Sequence, residues 1–221
     1  MTDKPAFRFA TVILDVDSTL CGIEGIDWLA ERRGADVAKR VADLTDRAMR
    51  GDVPLEEVYG ARLAMVRPRR EDVDALGHEY IATISPGAVE AVAKWKSGGV
   101  CVILLSSAIS HSILRVAQHI GLGPDEVHAV DVRFDAIGGW VGFDSSSPLT
   151  TTTGKRDIVA RLDLPRPMIA VGDGSTDRAV RGTADAFAAF TGYISRPAVT
   201  DGADFVVTSF AELSAIVLGD D

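Results

Sequence analysis

Short, nearly continuous apolar runs alternate along this chain with longer stretches whose apolar residues recur at helical spacing. Residues 9–20 (FATVILDVDSTL) begin with such a run, and 100–105 (VCVILL) and 168–171 repeat it, each reading as a strand buried on both faces. Residues 186–190 and 205–207 predict two further short strands. After Leu20 the period changes. Ile26, Leu29 and Ala30 lie on one helical face before Gly34, and Val37, Val41, Leu44 and Ala48 form a stripe along 36–50 that Gly51 ends. Pro54 with Glu56 and Glu57 suits the first turn of a third helix running to about 66, and 70–80 predict a fourth.

Ser85-Pro86-Gly87 marks a return, followed by a helix over 88–96 closed by Gly98-Gly99 and another over 112–120 stopped by Gly121. Residues 127–134 alternate as one strand, and Gly138-Gly139 before Trp140, Val141 and Phe143 suggests a hairpin. The polar stretch DSSSPLTTTTGK has the composition of a linker. Against that, its Lys155 stands directly before a helix carrying Ile158, Val159 and Leu162 on one side; residues 212–218 predict a closing helix.

Strands alternating with helices imply an α/β fold with a parallel sheet and right-handed crossovers. The all-helical piece interrupts that order after the first strand. The expected organisation is a core domain from 1–21 and 84–221, with a small helical cap inserted at 22–83.

Composition narrows the function. The 221 residues carry 23 Lys plus Arg against 32 Asp plus Glu, a formal charge of −9, and no basic run interleaved with aromatics, which argues against a nucleic-acid surface. Cys21 and Cys101 are the only cysteines and belong to no metal-spaced cluster, as expected in a reducing compartment. The N-terminal MTDKPAFRFA lacks a basic and apolar leader, and no apolar run nears the roughly 18 residues that span a membrane. A soluble cytoplasmic protein is expected; no oligomeric state is assigned.

The chemistry sits at the strand ends. Asp15 and Asp17 follow the first apolar run, Ser106 and Ser107 the second, and Asp173 the third, with Asp177 about one helical turn later. In a parallel sheet these ends share one edge, where open α/β sheets bind ligands. Two converging carboxylates repel, and either a divalent cation or a shared proton relieves them. Alone, Asp-x-Asp equally describes a solvated turn, Lys155 a surface charge and Ser106 a helix cap.

Their order is more specific. It resembles the haloacid dehalogenase superfamily of phosphotransferases, whose motifs run D-x-D-x-T, a Ser or Thr after a strand, a Lys and an acidic pair. DVDSTLCGIEGIDWLAERRG, RGDVPLEEVYGARLAMVRP and VGDGSTDRAVRGTADAFAAF extend the resemblance to the phosphoserine phosphatase family over almost the whole chain. That resemblance implies a Rossmann-like core, a helical cap, and hydrolysis of a small phosphorylated amino acid or other metabolite. Asp15 would be the nucleophile and Asp17 the general acid and base. Mg²⁺ would be held by Asp15, the Asp17 carbonyl and Asp173, with Asp177 supporting its water shell. Ser106 and Lys155 would neutralise and orient phosphate oxygens. Glu24 would face the substrate ammonium and Arg62 its carboxylate, with Met49 and Arg50 lining the pocket and Thr176 and Arg196 near its mouth.

One motif departs from the family. Where the family reads Ser-Gly-Gly-Phe-Arg, this chain has Ser106-Ser107-Ala108-Ile109-Ser110, so Ser107 and Ala108 take the glycines' place beside the phosphate. If either glycine needs a left-handed backbone, a side chain there costs on the order of 1–2 kcal/mol. The departure makes another small phosphorylated metabolite the alternative substrate. His78, His111, His119 and His128 have no ligand spacing, and Trp28, Trp95 and Trp140 read as packing residues.

Overall fold

The computed structural model describes residues 7–219. Positions 1–6, part of the stretch read above for a leader, and 220–221, at the end of the expected core domain, lie outside the described residues. The first apolar run forms β1 (Thr11–Leu14), buried throughout. Four helices follow: α1 (Gly25–Glu31), α2 (Ala35–Arg50), α3 (Leu55–Val66) and α4 (Arg70–Ala82). Gly51, at φ +82°, ends α2 in the left-handed conformation that costs a glycine least. Pro54 is the residue before α3, one position ahead of the expected first turn.

The chain then returns through α5 (Ala88–Ser97) to β2 (Cys101–Ile109), α6 (Ser110–His119) and β3 (Val127–Val130). A two-stranded hairpin, β4 (Val132–Phe134) with β5 (Trp140–Phe143), precedes α7 (Gly154–Val159) and β6 (Met168–Gly172). The last elements are α8 (Ser175–Arg178), β7 (Ala186–Phe190), α9 (Pro197–Thr200), β8 (Phe205–Val207) and α10 (Phe210–Leu218).

Six strands form one sheet in the order β3-β2-β1-β6-β7-β8, every neighbouring pair parallel. Chain order reverses on either side of β1, which makes the β1/β6 boundary the switch point of a Rossmann-like sheet. The central strands β1, β6 and β7 are wholly buried, which accounts for their nearly continuous apolar sequences. Trp95 of α5 stacks on Phe210 of α10 at 6.3 Å, and Phe190 of β7 meets Phe210 at 5.7 Å, closing the core over the sheet.

Two local expectations change. The strand expected over 127–134 divides at Asp131: β3 joins the sheet beside β2, while β4 leaves it to pair with β5. The second apolar strand does not stop at Leu105, because β2 continues through Ser106 to Ile109 across an irregularity in its pairing with β3. The helical insertion rests on the core through α4 and α6, where Ser112 Oγ donates to the Val73 carbonyl at 2.8 Å.

Candidate active site

The first motif is a compact loop. Asp15 N–H extends the ladder to the Val171 carbonyl at 3.0 Å, and Cys21 N–H then folds back to the Val16 carbonyl at 2.9 Å. Between them Ser18 takes φ +50°, a left-handed conformation that a non-glycine residue holds only when its surroundings impose it. Its hydroxyl donates to Glu24 Oε1 at 2.8 Å, tying the loop to the start of the helical insertion. The Asp17 carboxylate is tied to the insertion: Oδ1 accepts the Tyr80 hydroxyl and the Gly25 N–H, the latter at 3.3 Å.

Asp15, Asp173 and Asp177 meet at one point, each offering an oxygen within 4.8 Å of the others. Asp177 is brought there by α8, and Gly172 leaves the necessary room, since a Cβ at that position would stand 2.1 Å from Asp177 Cγ. Close approach, rather than a left-handed turn, explains this glycine. Lys155 Nζ donates to Asp15 Oδ1 at 2.5 Å and Asp177 Oδ1 at 2.6 Å, and Arg196 pairs with Asp173. Thr19 Oγ1 donates to Asp173 Oδ1 at 3.3 Å.

Burial dominates the electrostatics. Desolvation, then the Asp177 charge, raises Asp15 to about 7, although Lys155 pulls it down. Desolvation followed by Glu24 and Asp15 pushes Asp17 well above the ordinary carboxylate range, and the same three influences raise Asp173. For Lys155, desolvation opposes its charge, but Asp15 and Asp177 outweigh that and hold its pKa above the usual value. Three buried carboxylates around one point form a hard, oxygen-only donor set that fits a cation such as Mg²⁺ better than a softer metal.

A small cavity of about 30 Å³ lies over these groups. From the sheet side it is lined by Asp15, Asp17, Ser106, Ser107, Lys155, Asp173 and Thr176, and from the insertion by Glu24, Ile26, Met49 and Arg62. Arg62 is 4% exposed, with Nη2 3.8 Å from Asp27 Oδ1. Its Nε, like that of Arg196, is buried without a hydrogen-bond partner, so each retains an uncommitted donor. Glu24 is raised by burial and by Asp27.

Three residues expected around the pocket do not line it: Arg50, Ala108 and Arg196, the last buried against Asp173. Arg50 is exposed and pairs with Asp46 and Asp52, because one residue's rotation along α2 turns it off the face that Met49 presents. Ala108 is buried behind Ser106, whose Oγ accepts its N–H at 3.0 Å. Neither Ser107 nor Ala108 has a positive φ, so the expected strain is absent at both. Ser107 is held by its own hydroxyl on the Leu149 carbonyl at 2.7 Å and by the Tyr59 hydroxyl on its carbonyl at 2.8 Å.

Several neighbours escaped the sequence reading. Tyr80 and Tyr59 lie on apolar helix faces, where a tyrosine ordinarily signals packing. Asp27, which accepts the Thr45 hydroxyl at 2.5 Å and faces Arg62, stands in a first helical turn, where acids are common without any site. His111, the histidine nearest a motif, pairs with Asp74 at 2.9 Å and does not line the cavity.

Comparison with known proteins agrees with this geometry. A haloacid dehalogenase-like hydrolase model matches residues 12–180. A chloroplastic phosphoserine phosphatase of Arabidopsis thaliana is 37% identical over 91% of this chain and 70% of its own length. The phosphoserine phosphatase of Bos taurus is 35% identical over 91% of this chain and 90% of its own length. A phosphoserine phosphohydrolase-like protein from Francisella tularensis shares the fold with a TM-score of 0.84 at 24% identity, over 94% of this chain and 99% of that one. With its motifs gathered on one sheet edge and relatives of this similarity along nearly its whole length, the chain belongs to the haloacid dehalogenase-like hydrolases, in the branch of the phosphoserine phosphatases.

Proposed function

We propose that this chain hydrolyses O-phospho-L-serine to serine and phosphate through an aspartyl-phosphate on Asp15, with residues 22–83 acting as a cap over the 1–21 and 84–221 core. The observation that carries this reading is one cavity in which a phosphate-handling floor faces Glu24 and Arg62. An acid for the ammonium and a guanidinium for the carboxylate select a phosphorylated amino acid. The unstrained backbone at Ser107 and Ala108 supports phosphoserine over the alternative metabolite.

The seryl oxygen is a poor leaving group as an alkoxide. Asp17, whose carboxyl is pushed well above the ordinary range by burial and then by Glu24 and Asp15, would supply the proton as the P–O bond breaks. Asp15 attacks phosphorus in line, and Lys155 and the Ser106 hydroxyl neutralise and orient the phosphoryl oxygens. Asp17, now ionised, takes a proton from water, which attacks the aspartyl-phosphate and releases phosphate. Asp15, Asp173, Asp177 and the Asp17 carbonyl would hold Mg²⁺, which supplies charge neutralisation of the phosphate dianion. The free, buried or half-buried Cys21 and Cys101 fit a reducing compartment, and we assign the chain to the cytoplasm. Among the described residues no helix is long and apolar enough to cross a membrane.

Phosphate release from O-phospho-L-serine with Mg²⁺, abolished by EDTA, tests the reading directly; inactivity on this ester with activity on other small phosphates would overturn it. Arg62→Ala should raise KM for phosphoserine about 10–100-fold, the value of a charged hydrogen bond, with a much smaller change for an aryl phosphate. Equal changes would remove the carboxylate role. Metal binding should also depend on pH. The folded-state pKa of Asp15 is raised from 3.8 to about 7, so without metal its contribution to stability falls as pH rises through that interval. Mg²⁺ relieves the ionised cluster, and the thermal shift on adding Mg²⁺ should therefore be larger at pH 8 than at pH 5.5.

A further inference from the structure

Tyr80 is fully buried on α4, and its hydroxyl donates to Asp17 Oδ1 across the boundary between the helical insertion and the sheet. Two details make this contact more than incidental packing. The same oxygen accepts the Gly25 N–H at 3.3 Å, so both donors converge on Oδ1, and none of the described residues donates to Oδ2. Gly25 also makes way for the phenol: a Cβ there would lie 2.0 Å from the Tyr80 hydroxyl oxygen and 2.8 Å from Cζ. The first turn of α1 is thus shaped around this hydroxyl.

We propose that Tyr80 is a positioning residue for the general acid: by occupying Oδ1 it confines the transferable proton of Asp17 to Oδ2 and fixes the plane of the carboxyl group. A carboxylic acid carries its proton on one oxygen, and an oxygen already accepting two N–H or O–H donors is the less favourable place for it. Proton delivery falls steeply with misorientation, so a carboxyl free to turn would present its proton to the leaving group only part of the time. Because Tyr80 belongs to the insertion, the general acid is correctly set only while α4 is seated on the core. The inference rests on the proposed role of Asp17.

Leaving-group chemistry separates this role from a structural one. An alkyl phosphate needs its leaving oxygen protonated; p-nitrophenyl phosphate, whose phenolate is stable, does not. Tyr80→Phe keeps the ring and removes only the hydroxyl. In the Mg²⁺-loaded protein we expect kcat/KM for O-phospho-L-serine to fall about 10–100-fold, with the value for p-nitrophenyl phosphate within about 3-fold of the parent. Gly25→Ala, which drives a methyl group into the hydroxyl's position, should show the same selective loss, so the question survives if either variant folds poorly. Leu76→Ala, a cavity in the same helix that leaves the hydroxyl in place, should lower both esters together through stability alone.

Equal losses on both esters in Tyr80→Phe, or no loss on either, would overturn the positioning role. Asp17→Asn keeps the two failures distinct. If it shows the alkyl-selective loss while Tyr80→Phe does not, only the tyrosine's role falls. If Asp17→Asn is unselective, the general-acid assignment falls and this inference with it.

Discussion

Asp15→Asn is expected to lower kcat for O-phospho-L-serine by about 10⁴-fold or more, the scale seen when a covalent nucleophile is removed. Asparagine matches the carboxylate in shape but cannot form the acyl phosphate, so no residual route through the covalent intermediate remains. The loss is catalytic rather than conformational. Asp15 is buried and held at about 7 by desolvation and Asp177, so its ionised form is a local burden in the metal-free fold above that pH. At pH 8 without divalent cations the variant should therefore melt no lower than the parent, despite losing one partner of Lys155. Acid-quenched turnover mixtures of the parent should carry a phosphoryl group on Asp15. Retention of more than about one per cent of kcat by the variant, with an adduct elsewhere, would displace Asp15 as nucleophile.

Lys155→Met should be the most damaging change to the metal-free fold. The ammonium is 3% exposed and bridges Asp15 and Asp177, while Asp173 stands beside them with its own charge answered by Arg196. Methionine preserves much of the stem but leaves buried carboxylates uncompensated, a loss of about 3–5 kcal/mol for a broken buried pair. Denaturant unfolding in EDTA measures it. Saturating Mg²⁺ should recover much of the stability, because a cation at the same carboxylates answers the same repulsion. It should not recover catalysis, since the phosphoryl oxygens lose a dedicated donor; kcat should remain about 10²–10³-fold low. Full recovery of both would mean that Lys155 serves only to balance charge.

Arg196 and Arg62 show why charge in this site has to be read group by group. Arg196 is committed to Asp173 through Nη1 yet has an unpartnered Nε, and Arg62 faces Asp27 only at 3.8 Å. Arg62 lines the cavity and keeps a donor for a ligand, Arg196 is buried against Asp173 outside the cavity lining, and Arg50 spends its charge at the surface on Asp46 and Asp52. Arg50 and Arg62 belong to one stretch that resembles the family, and burial distinguishes them.

The elements themselves were legible because their causes are local. β1, β6 and β7 are almost entirely apolar since each is covered on both faces, and the helices of the insertion carry stripes that must face an apolar partner. The acids and the serine stand at or just beyond the apolar runs, so a parallel sheet was enough to place Asp15, Ser106 and Asp173 along one edge. Lys155 carried no such local mark; its family likeness, rather than its helical setting, pointed to the site.

What pattern alone could not decide depends on contacts between distant segments. Residues 127–134 alternate enough to read as one strand, but a free edge beside β2 claims the first half and the hairpin the second. Ser107 and Ala108 could be weighed only when their backbone proved to lie outside the left-handed region. Tyr80 reaches Asp17 across 63 positions, and Lys155 reaches Asp15 across 140. Periodicity records which side of an element is buried, whereas these meetings depend on how crossovers and inserted helices stack, information that no single stretch of chain contains.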